Sequence, residues 1–371
     1  MMLHDNPFAV LGAAPGDSRV SLGEKAARAG SPAADEALRL LTQPESRLAA
    51  ELAWFPKSRQ ETVQAFVDYA DALAEGRAAV VPRVEGLGCA LAEANALSAL
   101  FSAWPTEDSE LFVGLCRTIE MLLSRVTADD TLRAINADRA AGGWESLEDA
   151  SVLSEPLEQR LRVLCEPVKQ GMDKLGKNAS AAMLDRLLET GSFDVRGCVI
   201  RTACDSYKSK ISTEAGALKG RIITEAGNRM SHAEISKTDV QCVQNLVRKW
   251  RSLCEPLFKA SAADNGEAWI ICKLMHSMVV DYLNKAKPTQ KSHLVIINPV
   301  KATTATVTYQ SKGEAVRTAL ETIDWLRDSF PEQTDLLPQL EGDRRILQDM
   351  QRKEKEMLDR AEMEAHAKYG W

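Results

Sequence analysis

Aromatic residues are scarce in this sequence, at 5% of 371 residues, whereas alanine and leucine are abundant. Because aromatic and β-branched residues favour strands while alanine and leucine favour helices, this balance predicts a mainly α fold. Long apolar runs are also lacking: the most apolar stretch, 269–280, is interrupted by Lys273 and His276 and is too short to span a bilayer. The N-terminus has no basic segment followed by an apolar one, so we expect a cytoplasmic protein without a membrane span.

Recognisable catalytic and metal-binding patterns are missing as well. The eight cysteines form no C-x-x-C pair, and no two of the five histidines lie at metal-ligand or catalytic spacing. The sequence contains no Gly-rich phosphate loop and no nucleophile elbow. We therefore predict no catalytic site, no metal and no cofactor, and interpret the cysteines as reduced core residues. Because an active site can be assembled by the fold alone, an enzyme of unrecognised class remains an alternative.

Apolar residues recur at helical spacing along most of the chain, most clearly over 112–126. This periodicity predicts an N-terminal helical hairpin followed by helical bundles. Thr42 and Glu45 have the spacing of a capping box, which predicts a helix that begins after Thr42. Two β-branched stretches around 299–302 predict a small β-hairpin near 293–310. Loop-like segments suggest four domains, at 1–57, 58–145, 146–290 and 291–371.

The middle of the chain contains an imperfect repeat. Residues 157–168 (LEQRLRVLCEPV) and 246–257 (LVRKWRSLCEPL) share apolar residues at i, i+4, i+7 and i+11, and both carry Cys-Glu-Pro at the same point. A proline at this place bends or ends a helix. A duplicated helix-pair module and chance similarity both explain the pattern. The charged stretch 340–369 predicts an exposed helix that docks one narrow apolar seam on a partner or on another copy of the chain.

Three short segments near the N-terminus carry a family resemblance. They are NPFAVLG at 6–12, the polar helix DSRVSLGEKAARA at 17–29, and LTQPESR at 41–47. In this order they resemble a J-domain, the module of the DnaJ-type co-chaperones, over roughly the first 55 residues. The resemblance implies a J-like helical hairpin at the start of the chain.

The segment that follows the second of these helices departs from the family. A His-Pro-Asp loop triggers ATP hydrolysis in the DnaK-type partner of a J-domain, whereas residues 29–34 here read Ala-Gly-Ser-Pro-Ala-Ala. The resemblance therefore implies that this activity is absent. The second helix of the family also docks the partner through a basic face. The corresponding candidates here are Arg19, Lys25 and Arg28, with Glu24 among them.

These observations predict a non-enzymatic, co-chaperone-like adaptor that binds proteins, either a DnaK-type chaperone or a multi-subunit complex. The alternative is a nucleic-acid-associated accessory factor that uses a basic face within 207–251. Its candidate phosphate contacts are Lys208, Lys210, Arg248, Lys249 and Arg251. The net charge of −7 argues against nucleic acid as the main partner. Trp250 belongs to the apolar stripe of the repeat, which favours a solvated charged face instead.

Overall fold

The computed structural model describes residues 5–74, 82–83, 87–102, 109–189, 197–298 and 303–369. The secondary structure of these residues is helical apart from one two-stranded antiparallel sheet. The predicted mainly α fold with a small β-hairpin is thereby confirmed. The chain forms two compact units, Met1–Lys210 and Ile211–Trp371. The finer division into four domains stays a prediction.

Polar side chains mark the starts of the first helices. Asn6, Ser18 and Ser31 each accept a hydrogen bond from a backbone N–H of the turn that follows, as N-cap residues do. A single turn of 3₁₀ helix at Ala150–Leu153 precedes α9. The α-helices that begin in the first unit are α1 (Pro7–Val10), α2 (Arg19–Ala29), α3 (Pro32–Thr42), α4 (Pro44–Leu52), α5 (Gln60–Ala74), α6 (Ala90–Ser102), α7 (Ser109–Arg125), α8 (Ala128–Ala141), α9 (Ser154–Leu164), α10 (Glu166–Lys174), α11 (Lys177–Glu189) and α12 (Cys198–Met230).

The second unit contains the end of α12 and the hairpin. Ser236 and Asp239 form a reciprocal capping box at the start of α13, which satisfies two backbone N–H groups. Asp264 caps α14 by accepting from the backbone N–H groups of Gly266 and Glu267. The elements that begin in this unit are α13 (Lys237–Lys259), α14 (Asn265–Lys285), β1 (Thr289–Asn298), β2 (Thr303–Ser311), α15 (Gly313–Ser329) and α16 (Leu337–Tyr369).

Four aromatic rings fill the centre of the N-terminal core. Phe8, Trp54, Phe55 and Phe66 are all buried. The ring centroids of Phe8 and Trp54 lie 6.1 Å apart, those of Trp54 and Phe55 5.4 Å, and those of Phe55 and Phe66 5.6 Å. Such rings contribute most of the apolar area that a small core removes from water. Because Phe66 belongs to α5, the core of α1–α4 continues into that helix.

The start of α4 differs from the sequence prediction. Thr42 is the last residue of α3, and its hydroxyl donates to the backbone oxygen of Arg39 at 2.8 Å. The N-cap is Gln43, which makes no side-chain cap hydrogen bond. The predicted capping box at Thr42 is therefore wrong, because a residue that still belongs to one helix cannot adopt the extended N-cap conformation of the next. Pro44 begins α4 without an N–H to satisfy.

The two Cys-Glu-Pro segments bury matching positions but differ in backbone structure. In the first segment α9 ends at Leu164, and α10 starts with Pro167 in its first turn. In the second segment α13 continues through Pro256. Each segment lies within its own unit. The matching buried pairs are Leu157 and Leu246, Cys165 and Cys254, Pro167 and Pro256, and Val168 and Leu257.

The hairpin and α16 contact each other in the second unit. Val295 pairs with Ala305 in the antiparallel register, and β1 begins at Thr289, four residues before the predicted start at His293. The predicted turn at 299–302 lies outside the described residues. The helix α16 packs against α15 and both strands of the hairpin. Of the apolar residues in the predicted seam, Leu347 is buried within the chain, whereas Ile346 and Met357 are exposed, so docking of a partner or a second copy through α16 stays a prediction.

Candidate partner-binding surface

Two of the three basic residues predicted for α2 are engaged within the chain. The Lys25 ammonium donates to the Asp17 carboxylate at 2.7 Å and to the backbone oxygen of Gly12 at 2.9 Å. The Arg19 guanidinium lies 5.0 Å from the ring centroid of Trp144, a cation–π contact. Arg28 lies in the last turn of α2 and is exposed. The sequence placed these residues on one helix correctly but could not show these contacts.

Asp17 organises the loop before α2. Besides Lys25, its carboxylate accepts from the backbone N–H of Ala14 at 2.8 Å and from the hydroxyl of Ser21 at 3.2 Å. Burial raises the pKa of the Asp17 carboxyl, but these hydrogen bonds and the Lys25 charge outweigh burial and hold the pKa below its ordinary value. The carboxylate is therefore ionised at neutral pH and neutralises Lys25.

The connection between α2 and α3 is a tight turn. Gly30 ends α2 in the left-handed conformation, with φ of 57°, which glycine adopts without a steric penalty. The Ser31 hydroxyl accepts from the backbone N–H of Ala34 at 3.2 Å, and Pro32 is already the first residue of α3. Only Gly30 and Ser31 therefore separate the two helices.

Beneath this surface, a buried carboxylate bridges two arginines. Glu51 is 1% exposed, and its Oε1 accepts from Nε of Arg47 at 2.8 Å. The Nε of Arg139, on α8, donates to both Glu51 oxygens at 3.2 and 3.0 Å. A second Arg47 nitrogen donates to the backbone oxygen of Pro15 at 2.7 Å. We call Arg47, Glu51 and Arg139 the buried ion cluster.

Trp144 connects the buried ion cluster to the start of α2. The Arg47 guanidinium lies 3.6 Å from the Trp144 ring centroid, and the indole N–H donates to the backbone oxygen of Asp17 at 2.7 Å. Burial lowers the pKa of the Arg47 guanidinium, Glu51 opposes this shift, and the neighbouring charges of Arg139 and Arg19 add to it. Sequence analysis missed the cluster; the one signal was the i, i+4 spacing of Arg47 and Glu51.

The candidate nucleic-acid contacts are divided between the two units, and three of the five are engaged in intrachain contacts. Lys210 donates to the backbone oxygens of Asp173 and Leu175 at 2.9 and 2.6 Å. The Arg248 guanidinium lies 5.3 Å from the Trp325 ring centroid. Lys208 and Lys249 are exposed, and Arg251 pairs with Glu332 at 3.1 Å while its guanidinium lies 3.5 Å from the Phe258 ring centroid.

An open cleft of about 400 Å³ lies in the second unit between α14 and α16, with Lys273, Ser277 and Asp281 among its lining residues. His276 is 4% exposed, and its Nε2 lies 2.6 Å from the Asp343 carboxylate. The His276 ring is therefore a packed side chain that contacts a carboxylate. Among the described residues, no group of three or more His, Cys, Asp or Glu side chains could hold a metal ion.

All eight cysteines are free thiols, and most are buried as predicted. Cys89 and Cys198 are half-buried, and Cys242 is exposed. Within the described ranges, no helix is both long enough and apolar enough to cross a membrane.

Comparisons of the chain with protein-family models, with curated proteins and with solved structures give no match.

Proposed function

We propose that the protein is a non-enzymatic interaction adaptor whose N-terminal segment is a J-like fold that does not stimulate a DnaK-type ATPase. The observation that carries this proposal is the two-residue connection of Gly30 and Ser31 between α2 and α3. In J-domains the stimulating His-Pro-Asp tripeptide occupies the connection between these helices. Here Ser31 is committed to capping α3 and Pro32 to its first turn, so this connection has no residues left for that role.

The charges of α2 support the same proposal. Asp17 neutralises Lys25, and Trp144 binds the Arg19 guanidinium. A basic docking face works through uncompensated positive charge, so the pairing of Lys25 with Asp17 weakens attraction to an acidic partner surface, whereas the Trp144 contact leaves the charge of Arg19 uncompensated. The protein therefore retains a helical scaffold like that of a J-domain with a changed docking chemistry.

One face of α2 remains open to a protein partner. It consists of Val20, Glu24, Ala27 and Arg28, which follow one another at helical spacing and are all exposed; we call it the α2 outer face. Val20 is 71% exposed, a large value for a β-branched apolar side chain. An apolar residue beside one cation and one anion suits a protein surface better than a polyanion. The proposal includes a cytoplasmic location and a partner that is a DnaK-type chaperone or a multi-subunit complex.

The ATPase part of the proposal is tested with a purified DnaK-type chaperone. Its ATP hydrolysis rate is measured alone, with an excess of the full-length adaptor, and with an intact J-domain as the positive control. We expect the adaptor to leave the rate unchanged. Acceleration comparable to that of the positive control would contradict the proposal.

The interaction part is tested by affinity capture at low salt with the full-length chain. The wild type is compared with a Val20→Asp, Arg28→Glu double variant of the α2 outer face and with Arg39→Glu, an exposed charge reversal on α3. We expect a stoichiometric protein partner that the double variant loses and the control retains. Capture of nucleic acid alone, weakening steeply as salt rises, would favour the accessory-factor alternative.

A further inference from the structure

The cleft between α14 and α16 in the second unit has the properties of a ligand site. Its volume of about 400 Å³ lies in the range of pockets that hold small molecules. All of its lining residues are polar except Val280. One of them, His276, is 4% exposed, so part of the wall is a side chain fixed by the fold. The cleft therefore combines a concave surface with several hydrogen-bonding groups.

Two polar contacts connect α14 to α16 at this cleft. The Lys273 ammonium donates to the side-chain oxygen of Gln339 at 2.8 Å, and His276 Nε2 lies 2.6 Å from the Asp343 carboxylate. The residue numbers rise together on both helices, so the helices run in the same direction here, and the two contacts are about one helical turn, or about 6 Å, apart. These contacts hold all four side chains in position without a ligand.

The first contact leaves positive charge and hydrogen-bond donors available to a ligand. Gln339 is a neutral amide, and no carboxylate of the described residues lies within ion-pair distance of the Lys273 ammonium. Because the Gln339 oxygen accepts from Lys273, its amide N–H groups are left to donate elsewhere, and none of the described residues accepts from them. An ammonium beside a free amide N–H suits a bound carboxylate, since charge-assisted hydrogen bonds are the strong ones.

The second contact leaves a carboxylate oxygen available. His276 contacts Oδ2 of Asp343, and Oδ1 has no hydrogen-bond partner among the described residues. The Asp343 side chain is 32% exposed, so a ligand can reach it. Asp281 also lines the cleft, but the Lys285 ammonium neutralises it at 2.7 Å. The cleft therefore presents a cation at Lys273 and an anion at Asp343, about one turn apart.

We propose that this cleft binds a free amino acid, with the ligand carboxylate at Lys273 and Gln339 and the ligand ammonium at Asp343. A simple anion in the cleft would lie close to the Asp343 carboxylate, and a simple cation would lie close to the Lys273 ammonium. A dipolar ligand with both charges on neighbouring atoms satisfies both groups, so charge complementarity selects it. Val280 provides an apolar contact for its carbon atoms.

Titration calorimetry of the full-length protein tests the ligand class. Each common amino acid is titrated in buffer alkaline enough to keep an ordinary histidine neutral. The tightest binder is then compared with its amide, which lacks the carboxylate, and with its N-acetyl derivative, which lacks the ammonium. We expect each derivative to bind about tenfold more weakly or worse, because each loses one charge-assisted hydrogen bond. Absence of binding by every amino acid, or a derivative that binds as tightly as its parent, would overturn the proposal.

Two substitutions assign the ends of the ligand. Lys273→Met should weaken binding of the amino acid and abolish its advantage over the amide, whereas Asp343→Asn should abolish its advantage over the N-acetyl derivative. The matched controls are Lys249→Met on α13 and Asp359→Asn on α16, exposed residues outside the cleft that lose the same charges.

The controls should keep the wild-type affinity and preferences. Wild-type preferences in Lys273→Met, or equal weakening in the controls, would contradict the assignment. Lys273 is half-exposed, so its loss should leave the thermal midpoint near that of the wild type, and this variant alone decides the outcome if Asp343→Asn does not fold.

Discussion

Arginines in two regions of this molecule illustrate opposite uses of charge. Arg47, in the N-terminal core, has a side chain that is 3% exposed and bonded to Glu51. Arg352, on α16, has a side chain that is 69% exposed, with Asp349 and Glu356 as its partners on the same helix. If Arg47 lost its carboxylate partner, its guanidinium would be a buried charge without that partner, which is costly. Water solvates the Arg352 guanidinium whether or not its carboxylate partners are present. The same residue type is therefore structural in one region and dispensable in the other.

The two regions also differ in what their charges specify. Glu51 joins Arg47 on α4 to Arg139 on α8, which lies 88 positions after Glu51, so the buried ion cluster selects one arrangement of distant elements. The pairs of Arg352 connect residues three and four positions apart, which any straight helix brings together. Long-range polar contacts thus distinguish the correct fold from other compact ones, and local pairs on α16 do not.

The largest effect is expected for Glu51→Gln. The amide removes the negative charge that Arg47 and Arg139 share, so both buried guanidinium groups lose the carboxylate to which they are bonded. We expect the free energy of unfolding of the first unit to fall by about 3–5 kcal/mol, as for other buried pairs that lose one partner. Urea unfolding followed by far-ultraviolet circular dichroism measures this change.

Glu45→Gln on the same helix is the control for that experiment, because Glu45 is exposed and the charge change is identical. It should shift the urea midpoint far less than Glu51→Gln. Equal midpoints for the two variants would show that burial of Glu51 has no energetic consequence, and the contrast between the two regions would fail.

A smaller loss is expected for Asn95→Ala, which removes a buried neutral group. The Asn95 amide donates to the backbone oxygens of Leu52, at 2.9 Å, and Trp54, and its side-chain oxygen accepts from Arg160 at 3.0 Å. Alanine leaves these carbonyls buried and unsatisfied, which costs about 1–3 kcal/mol. The thermal midpoint of the first unit measures the loss, and an unchanged midpoint would mean that water replaces the amide.

Much of the helical architecture could be predicted from local patterns. The stripe at 112–126 lies on α7 up to Arg125, and residues predicted to face the core there, such as Phe112, Cys116 and Ile119, are buried. The periodicity predicts this burial because the apolar face of an amphipathic helix packs against the core. Local patterns could not predict the boundary between α3 and α4 at Thr42. Whether α3 ends before or after that residue depends on packing. Similarly, Pro167 and Pro256 end the same Cys-Glu-Pro tripeptide, but the first lies in the first turn of a new helix and the second lies inside a continuous helix.

The candidate surface could be predicted only in part. Arg19, Lys25 and Arg28 do lie on one helix, as the sequence indicated. Lys25 is paired with Asp17, and Arg19 contacts Trp144, which is 125 positions after Arg19 in the sequence. Contacts across such separations follow from tertiary structure and leave no periodic signal in a single sequence.

Asp17 is partly exposed, so its acid titration tests a charge whose burial lies between that of Arg47 and that of Arg352. The pKa of Asp17 is held below its ordinary value in the folded chain, so its stabilising effect is complete above the unfolded pKa of about 4 and is lost as the pH falls through the folded value. Asp17→Asn should lower stability by about 0.5 kcal/mol at neutral pH, since solvent partly screens the Lys25 pair. Once the pH lies below the folded pKa of Asp17 the two proteins should converge, and a difference in stability that persists there would assign the effect to packing.

The smallest effect is expected for Arg352→Ala on α16. The substitution removes a charge from both of its pairs, but alanine favours the helix and the separated carboxylates remain in water. We therefore expect a urea midpoint for the second unit equal to that of the wild type within experimental error, at low and at high salt. A measurable loss at low salt that disappears at high salt would show that the exposed charges act as a network. In that case exposure alone would not separate structural arginines from dispensable ones, and the coupling among neighbouring pairs would have to be measured instead.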